Sequence, residues 1–381
     1  MTQGTFFADA DGPRALPVIG EQSDIRYYGV TARSVLNGPE TTGMGFWSVN
    51  PYVGCAFGCA YCYARYTHRY VMERSAAGEV LDAALRQDAA AMPTWLAFER
   101  RIFVKRNAPE RLRRALRHGS ARHLALLNGE SIVIGTATDP YQPAERRFRL
   151  TRGILEVLAE HPGLDVTIIT KSPLVTRDVD VLGRLARHSR VSVHVSLITV
   201  DRELARRLEP RAPTPEARLR AIARLSAAGL DVGVNVMPVL PGITDDPAAL
   251  ERLVARVAAA GAAHVGACAL RLQHEARRRY LPFIEQEFPH LAERYRATYA
   301  RSANAGARYR EGLRQFFRRL RARYGIAAYA YETDDDGDEA PEPAGPPERQ
   351  MDLFAADERP APGAPNGADG AALRPPLPAD G

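Results

Sequence analysis

The feature that most limits the fold of this chain is an alternation of apolar runs with helical stretches between about residues 45 and 275. Six short runs are rich in Val and Ile and are bounded by Gly, Pro or Asp, as β-strands commonly are. The strand candidates are Phe46–Val53, Ser131–Thr136, Asp165–Thr170, Val191–Leu197, Asp231–Val236 and His264–Leu270. The helix candidates between them are Ala108–Arg117, Arg149–Glu160, Val179–Arg187, Thr214–Ala228 and Asp246–Ala260. This order predicts an α/β fold with a parallel sheet covered by helices.

Six strand–helix units favour a barrel or partial barrel of the TIM type, in which functional loops follow the carboxyl ends of the strands. The main alternative is an open, doubly wound sheet. No Gly-rich phosphate-binding fingerprint follows any of the strand candidates, so the sequence gives that alternative less support.

Three cysteines are concentrated in the spacing Cys55-x3-Cys59-x2-Cys62, directly after the first strand candidate. Thiolates this close together suit an iron–sulfur cluster or zinc. A cubane cluster contains four irons, so three cysteines would leave one iron open to chelate a small molecule and pass it an electron.

Other interpretations of the cysteines remain open at this point. A structural zinc site would use the same three thiolates with a fourth ligand, such as His68. Disulfides are disfavoured because the chain has only 4 cysteines and no secretory or membrane-spanning segment. The fourth cysteine, Cys268, stands in an apolar run and is expected to be a buried, inert thiol.

The net charge of +6 hides a strong asymmetry. Residues 332–381 carry 13 acidic groups and 3 Arg, which leaves residues 1–331 with a net charge of +16. Residues 271–323 alone hold 14 Arg against 5 Glu. A body this basic favours a polyanionic partner, although a solvated Arg-rich surface is the alternative.

The sequence divides into four parts. Residues 1–40 are expected to form an N-terminal arm, residues 41–275 the barrel core, and residues 276–331 a basic helical extension. Within the extension, Leu313, Phe316, Phe317, Leu320 and Tyr324 follow helical spacing. This apolar stripe is expected to pack against the barrel. Residues 332–381 form an acidic, Pro-rich tail that is too polar to fold alone and is expected to be disordered.

The residues around the cysteines carry a resemblance to a known family. Asn50-Pro51-Tyr52 precedes the first cysteine, the run 61–65 (YCYAR) surrounds the third, and the block 135–145 (GTATDPYQPAE) ends the second strand candidate. Together they resemble the spore photoproduct lyase-like branch of the radical SAM superfamily, often labelled DNA repair photolyase. The resemblance covers roughly residues 30–275 and implies a six-unit partial barrel.

For the site, the resemblance implies a [4Fe-4S] cluster on Cys55, Cys59 and Cys62 whose open iron binds S-adenosylmethionine (SAM). Reductive cleavage of SAM would then give a 5′-deoxyadenosyl radical that abstracts hydrogen from the substrate. An external electron donor is therefore expected.

The resemblance also implies roles for four further residues. Tyr61 would pack beside the cluster, and Asp139 would bond the SAM ribose. Lys171 and Ser196, which end the third and fourth strand candidates, would hold the SAM carboxylate. The structural alternatives are a strand-end lysine that reaches to solvent and a hydroxyl satisfied by the backbone.

One departure from the family pattern bears on catalysis. Spore photoproduct lyases are similar here but carry a cysteine hydrogen donor shortly before the aspartate, where this chain has Thr136-Ala137-Thr138. Cys268 is the only spare cysteine. Tyr63 is therefore the candidate catalytic residue, as a hydrogen-atom relay, with simple packing as its alternative.

The sequence thus predicts a cytoplasmic radical SAM enzyme without membrane association that acts on DNA or another nucleic acid. The alternatives are a radical SAM enzyme acting on a peptide or small molecule, and a non-catalytic, metal-binding nucleic-acid-binding protein.

The tail contains one apolar segment, Gln350-Met351-Asp352-Leu353-Phe354. It resembles the short peptides with which bacterial DNA polymerases and repair proteins dock on the sliding clamp, pairing a glutamine with a Leu-Phe step. Through Gln350, Leu353 and Phe354 the tail is therefore expected to bind that clamp, with a chance match as the alternative.

Overall fold

Two β-sheets organise the computed structural model, which describes residues 18–22, 24–68, 87 and 91–329. In these ranges the strands are β1 (Val18–Gln22), β2 (Ile25–Val30), β3 (Leu36–Asn37), β4 (Trp47–Val49), β5 (Tyr52–Val53), β6 (Arg101–Lys105), β7 (Ile132–Ile134), β8 (Asp165–Thr170), β9 (Arg190–Ser196), β10 (Asp231–Val239) and β11 (His264–Ala269). The smaller sheet has the order β1-β2-β6-β5, and the larger has the order β11-β10-β9-β8-β7-β4-β3.

The larger sheet is the wall of a partial barrel. Six of its strands, β4 and β7 to β11, run parallel in the order in which they follow one another in the chain, and β3 is antiparallel at one edge. A doubly wound sheet would reverse its strand order at a switch point, and this sheet does not. The predicted six-unit partial barrel is confirmed.

Helices connect the strands. In chain order they are α1 (Pro39–Thr42), α2 (Thr94–Arg100), α3 (Ala108–Ala115), α4 (Ala121–Leu127), α5 (Pro143–Phe148), α6 (Leu150–Leu158), α7 (Val179–Ala186), α8 (Arg202–Leu208), α9 (Pro215–Ala227), α10 (Pro247–Ala259), α11 (His274–Glu287), α12 (Ala292–Thr298) and α13 (Ala307–Tyr324). Three 3₁₀ helices cover Tyr63–Arg65, Pro173–Asp178 and Pro289–Leu291. None of the helices within the described ranges is long and apolar enough to cross a membrane.

The main core lies between the parallel strands and their helices. Val232, Val234 and Val236 of β10 belong to it, so Gly233 and Asn235 face the inside of the barrel. The predicted apolar stripe also packs here, because Leu313, Phe317 and Leu320 of α13 are buried in the same core. The C-terminal helix is thereby fixed to the outside of the barrel beside β11.

The first strand candidate is two strands in the structure. Asn50 and Pro51 interrupt Phe46–Val53, so β4 joins the barrel while β5 pairs with β6 in the smaller sheet. The Asn50 amide nitrogen donates to the hydroxyls of Ser48 (2.8 Å) and Thr136 (3.1 Å), which ties the turn to β7. This turn directs the chain out of the barrel wall just before the first cysteine.

The expected N-terminal arm contains ordered structure that the sequence analysis missed. β1, β2 and β3 lie between residues 18 and 37, and β2 pairs in parallel with β6. Tyr27 and Tyr28 are both buried, on opposite faces of β2, so the strand lacks an apolar–polar alternation. The tail, including the segment 350–354, lies outside the described residues.

Candidate active site

The three cysteines lie in the loop after β5, at the carboxyl edge of the barrel. Backbone hydrogen bonds fix this loop at two points, from Cys55 N to Phe98 O (2.9 Å) and from Ala60 N to Leu208 O (2.9 Å). Gly54 adopts a φ of +88°, and a Cβ there would approach Phe98 O to 2.7 Å. The loop therefore requires glycine at this turn.

Side chains of the block 135–145 hold the cysteine loop through hydrogen bonds to its backbone. Gln142 is fully buried, and its amide donates to Gly54 O (3.0 Å) while its carbonyl oxygen accepts from Ala56 N (3.0 Å). Thr138 also donates its hydroxyl to Gly54 O (2.6 Å). The block 135–145 and the cysteine loop thus form one hydrogen-bonded unit.

Three thiols in one loop are a donor set that an iron–sulfur cluster can use. Cys55 and Cys59 are buried and Cys62 is partly buried. In the described part of the chain, no three His, Cys, Asp or Glu side chains could hold one metal ion. A cubane differs from zinc in binding each thiolate through a different iron, so its ligands need not converge on one point.

His68 does not supply the fourth ligand that a zinc site would require. Its ring packs against Phe98 and Phe103, with centroid distances of 6.2 and 5.5 Å. Burial lowers its pKa to about 3, so the ring is neutral at physiological pH. His68 is accordingly a core residue in this structure.

The thiols need a positive partner to ionise in this loop. Burial is the main cause that raises the pKa of Cys59, to about 12, and it also raises the pKa of Cys55 and Cys62. Thiolates here would therefore depend on nearby positive charge, which iron would supply.

A buried charge network supports the outer side of the loop. Glu99, with its side chain 5% exposed, pairs with Arg65 (3.2 Å) and Arg211, and lies 3.8 Å from Arg279. Arg65 donates to Cys59 O (2.8 Å), and Arg211 donates to Ala56 O (2.6 Å). One carboxylate thus fixes the guanidinium groups that bind the loop backbone.

Asp139 lies in the loop after β7, where its carboxylate is held by three donors. Oδ1 accepts from the Thr170 hydroxyl (2.7 Å) and Tyr141 N (2.9 Å), and Oδ2 accepts from Lys171 N (2.7 Å). Burial outweighs these bonds and raises its pKa above the ordinary value. Oδ2 retains room for one more donor, which is what binding to a ribose hydroxyl would need.

Lys171 and Tyr61 meet beside the cysteine loop. The Lys171 ammonium lies 5.7 Å from the Tyr61 ring centroid and 3.9 Å from Glu209 Oε1. Burial lowers the pKa of Lys171, but the neighbouring Cys59 and Glu209 charges outweigh it and raise the pKa. The side chain is therefore a cation adjacent to the thiols.

Glu209 and Arg218 are site residues that the sequence analysis missed. They form an ion pair whose side chains are each 1% exposed. Glu209 accepts the Tyr61 hydroxyl, and Arg218 donates to the carbonyl oxygen of Ser196 (3.0 Å). The pair thus contacts three of the four further residues to which the family resemblance assigns roles: Tyr61, Lys171 and Ser196.

Tyr63 lies at the mouth of the barrel. Its ring is half exposed, and its hydroxyl donates to the carbonyl oxygen of Thr136. Desolvation of the hydroxyl, and then neighbours that include Cys62 and Cys268, raise its pKa. Tyr63 is therefore close to both the cysteine loop and the last barrel strand.

The prediction that Cys268 is buried is wrong. Val265 belongs to the helix-covered core, and Ala267 and Ala269 pack against it, so Cys268 points to the inside of the barrel and is exposed. The apolar run around it belongs to the opposite face of β11. This cysteine is accessible from the barrel mouth near Tyr63.

Polar residues line the inside of the barrel. Asn235 of β10 lies in register with Ser196 of β9, and its amide oxygen has no hydrogen-bond partner among the described residues. His194, on the same side of β9, stacks on Tyr329 with a centroid distance of 4.3 Å. The barrel interior can therefore accept a polar ligand next to Ser196.

Basic residues lie at the same edge as the cysteine loop. Arg271 lies two residues after the end of β11 and forms a β-bridge with Asn304, which brings the segment 301–304 to the barrel mouth. Arg271 and Arg301 are both exposed there. An anion at the mouth would therefore meet positive charge.

Comparisons with known proteins agree with this architecture. The family model for the radical SAM superfamily matches residues 49–254. An uncharacterized protein of Mycobacterium tuberculosis is 38% identical over 305 residues, which cover 80% of this chain and 82% of that protein. An uncharacterized protein of Methanocaldococcus jannaschii is 25% identical over 223 residues, covering 58% of this chain and 71% of that one.

Solved structures show the same fold at low sequence identity. A mutant of spore photoproduct lyase superposes with a TM-score of 0.56 at 16% identity, covering 84% of this chain and 87% of the other. The complex of spore photoproduct lyase with a dinucleoside spore photoproduct gives 0.54 at 15% identity, covering 83% and 86%. With the family model matching more than half of its length, the chain belongs to the radical SAM superfamily.

Proposed function

We propose that this protein binds a [4Fe-4S] cluster on Cys55, Cys59 and Cys62, cleaves SAM beside it, and uses the resulting radical chemistry to repair or modify DNA or another nucleic acid. The observation that carries this proposal is the group of three thiols at the carboxyl edge of the barrel, next to the Lys171 cation. When bound, cluster and SAM supply a carbon radical that can abstract hydrogen from a substrate.

The chain's own residues would bind and orient SAM. The Lys171 ammonium suits the SAM carboxylate, since a charge-assisted hydrogen bond to an anion is strong. The open acceptor position of Asp139 suits a ribose hydroxyl. Ser196 and Asn235 present polar groups on neighbouring strands inside the barrel, where the reacting part of the substrate would enter.

Tyr63 would take part in hydrogen transfer at the mouth of the barrel. Its hydroxyl is anchored to Thr136 O, in the stretch 136–138 where the family resemblance implies a cysteine in spore photoproduct lyases. Cys268, whose thiol is exposed on the inside of the barrel, would be a second group able to give up a hydrogen atom there.

The positive charge at the mouth of the barrel supports a nucleic acid as the substrate. Arg271 and Arg301 are exposed at the edge where substrate must approach, and guanidinium groups suit phosphate. The net charge of +16 on residues 1–331 would add long-range attraction for a polyanion.

The function is tested by reductive SAM cleavage with and without DNA, together with DNA binding at low and physiological salt. We expect DNA to accelerate cleavage and its affinity to fall steeply with salt, because each Arg–phosphate contact releases counterions. An affinity that is the same at both salt concentrations would contradict the nucleic-acid proposal, and absence of SAM cleavage would contradict the enzymatic one.

Two double variants that remove the same charge at opposite edges of the barrel test where DNA binds on the protein. Arg271→Ala with Arg301→Ala should lower the salt slope of binding by roughly 2, about 1 for each phosphate contact. Arg187→Ala with Arg190→Ala removes the same charge at the opposite edge of the barrel, where both arginines are exposed, and should change the slope little. A larger effect from the control pair would place the binding surface elsewhere.

For the tail we propose docking on the bacterial sliding clamp through Gln350, Leu353 and Phe354. A short apolar segment in a polar tether can order on binding, and tethering raises the local concentration of the enzyme on DNA. A labelled peptide of residues 345–359 should bind the clamp with micromolar affinity. Leu353→Ala with Phe354→Ala should abolish binding, and no binding of the unchanged peptide at high clamp concentration would end the proposal.

A further inference from the structure

Glu209 and Arg218 form a buried ion pair between the barrel and the outer helices. Glu209 directly follows α8, and Arg218 lies in the first turn of α9. The guanidinium also donates to Pro213 O (2.9 Å) and Ser196 O (3.0 Å), so its position is fixed by three different acceptors. Burying such a pair is unfavourable unless the geometry is good, which raises the question of what it does here.

Two cations compete for the single charge of Glu209. Arg218 is in direct contact with Oε2, whereas the Lys171 ammonium lies 3.9 Å from Oε1, too far for a hydrogen bond. Tyr61 occupies Oε1 with its hydroxyl. Lys171 therefore makes only a long ion pair with Glu209, without a hydrogen bond to it, and its ammonium lies beside Tyr61 of the cysteine loop.

From this arrangement we propose that Arg218 and Glu209 are positioning residues for SAM: by engaging Glu209, Arg218 keeps the Lys171 ammonium available for the SAM carboxylate. The inference rests on the proposed function and adds two residues to it. Neither residue needs to touch SAM. Tyr61 and Ser196, which the same pair contacts, are held in place at the same time.

The proposal predicts opposite effects for the two partners. In Arg218→Met the charge of Glu209 is released to pair with Lys171, so SAM affinity should fall about 10- to 100-fold, the usual range for loss of a supporting contact. In Glu209→Gln no carboxylate competes for Lys171, so SAM affinity should be equal or higher. The double variant should recover most of the affinity that Arg218→Met loses.

The measurements are equilibrium SAM binding to the anaerobically prepared, cluster-loaded protein, with iron content determined on each sample. Iron content should be unchanged, because within the described residues neither side chain forms a hydrogen bond with a loop cysteine. Lys171→Ala is the reference for loss of the carboxylate contact, and it should bind SAM weakly whether or not Arg218 is present.

Arg177→Met serves as the matched control. Arg177 pairs with the buried Glu145 (2.8 Å) and Asp178 (2.7 Å), neither of which is assigned to SAM, so the variant should lose stability without losing SAM affinity. If Arg218→Met and Glu209→Gln weaken SAM binding together, or if Arg177→Met weakens it as much, the pair is merely structural. Full affinity in Lys171→Ala would also overturn the inference, whereas no SAM binding by the unchanged protein would overturn the proposed function itself.

Discussion

Replacing any one of Cys55, Cys59 and Cys62 with alanine should abolish both the bound cluster and SAM cleavage, because two thiolates hold a cubane poorly. Anaerobically purified protein should be brown, absorb near 400 nm and contain about four iron and four sulfide, as thiolate-bound cubanes do. Each alanine variant should lose the colour and most of the iron.

The barrel should remain folded in these variants. The cysteines belong to a smaller cluster around Phe57 and Phe98, and the main core between the parallel strands and their helices does not include them. Circular dichroism and urea unfolding should therefore differ little from those of the iron-free parent.

Cys268→Ala is the control for this experiment. It removes the other thiol of the chain, which is exposed on β11, and it should leave iron and sulfide content unchanged. Full iron and full turnover in any of the three loop variants would show that the ligands are assigned wrongly. One zinc without sulfide in the unchanged protein would favour the non-catalytic metal-binding alternative.

The sequence correctly predicted the strands and the helix start whose local residue pattern matches their burial in the structure. β8 was predicted at its observed bounds, and β9 and β10 within one to three residues, because parallel strands covered by helices are apolar along their length. The start of α9 follows its capping signal, since the Thr214 side chain accepts from Ala217 N. Such signals lie within a few residues of the element they define.

The strand and the site residues that the sequence did not predict depend on contacts between segments that are far apart in the chain. β6 begins with Arg101 and ends with Lys105, both of which are buried in the fold but look like surface residues in the sequence. Glu209 and Arg218 lie in Arg-rich helical sequence and have no feature that distinguishes them from solvent-exposed charges. Only their placement next to Tyr61 and Lys171 identifies them, and that placement is a property of the barrel.

The other large effect is expected at Glu99, on the outer side of the cysteine loop. Glu99→Gln should lower the free energy of unfolding by about 3–5 kcal/mol, the range for breaking a buried ion pair. The reason is that Arg65, whose side chain is 0% exposed, and Arg211 would lose the carboxylate that faces them. Arg279 adds further uncompensated charge nearby, at 3.8 Å from Glu99. Urea unfolding of the anaerobically prepared protein measures the difference.

The same substitution at an exposed pair is the control. Glu160 pairs with Arg113 (2.8 Å), but both side chains are about half exposed, so Glu160→Gln should cost less than about 1 kcal/mol. The two variants differ in one further respect. Arg65 and Arg211 bind the loop backbone at Cys59 and Ala56, so Glu99→Gln should also lower iron retention, whereas Glu160→Gln should not. Equal losses of stability in both variants, or full iron in Glu99→Gln, would mean that the cysteine loop holds its shape without this network.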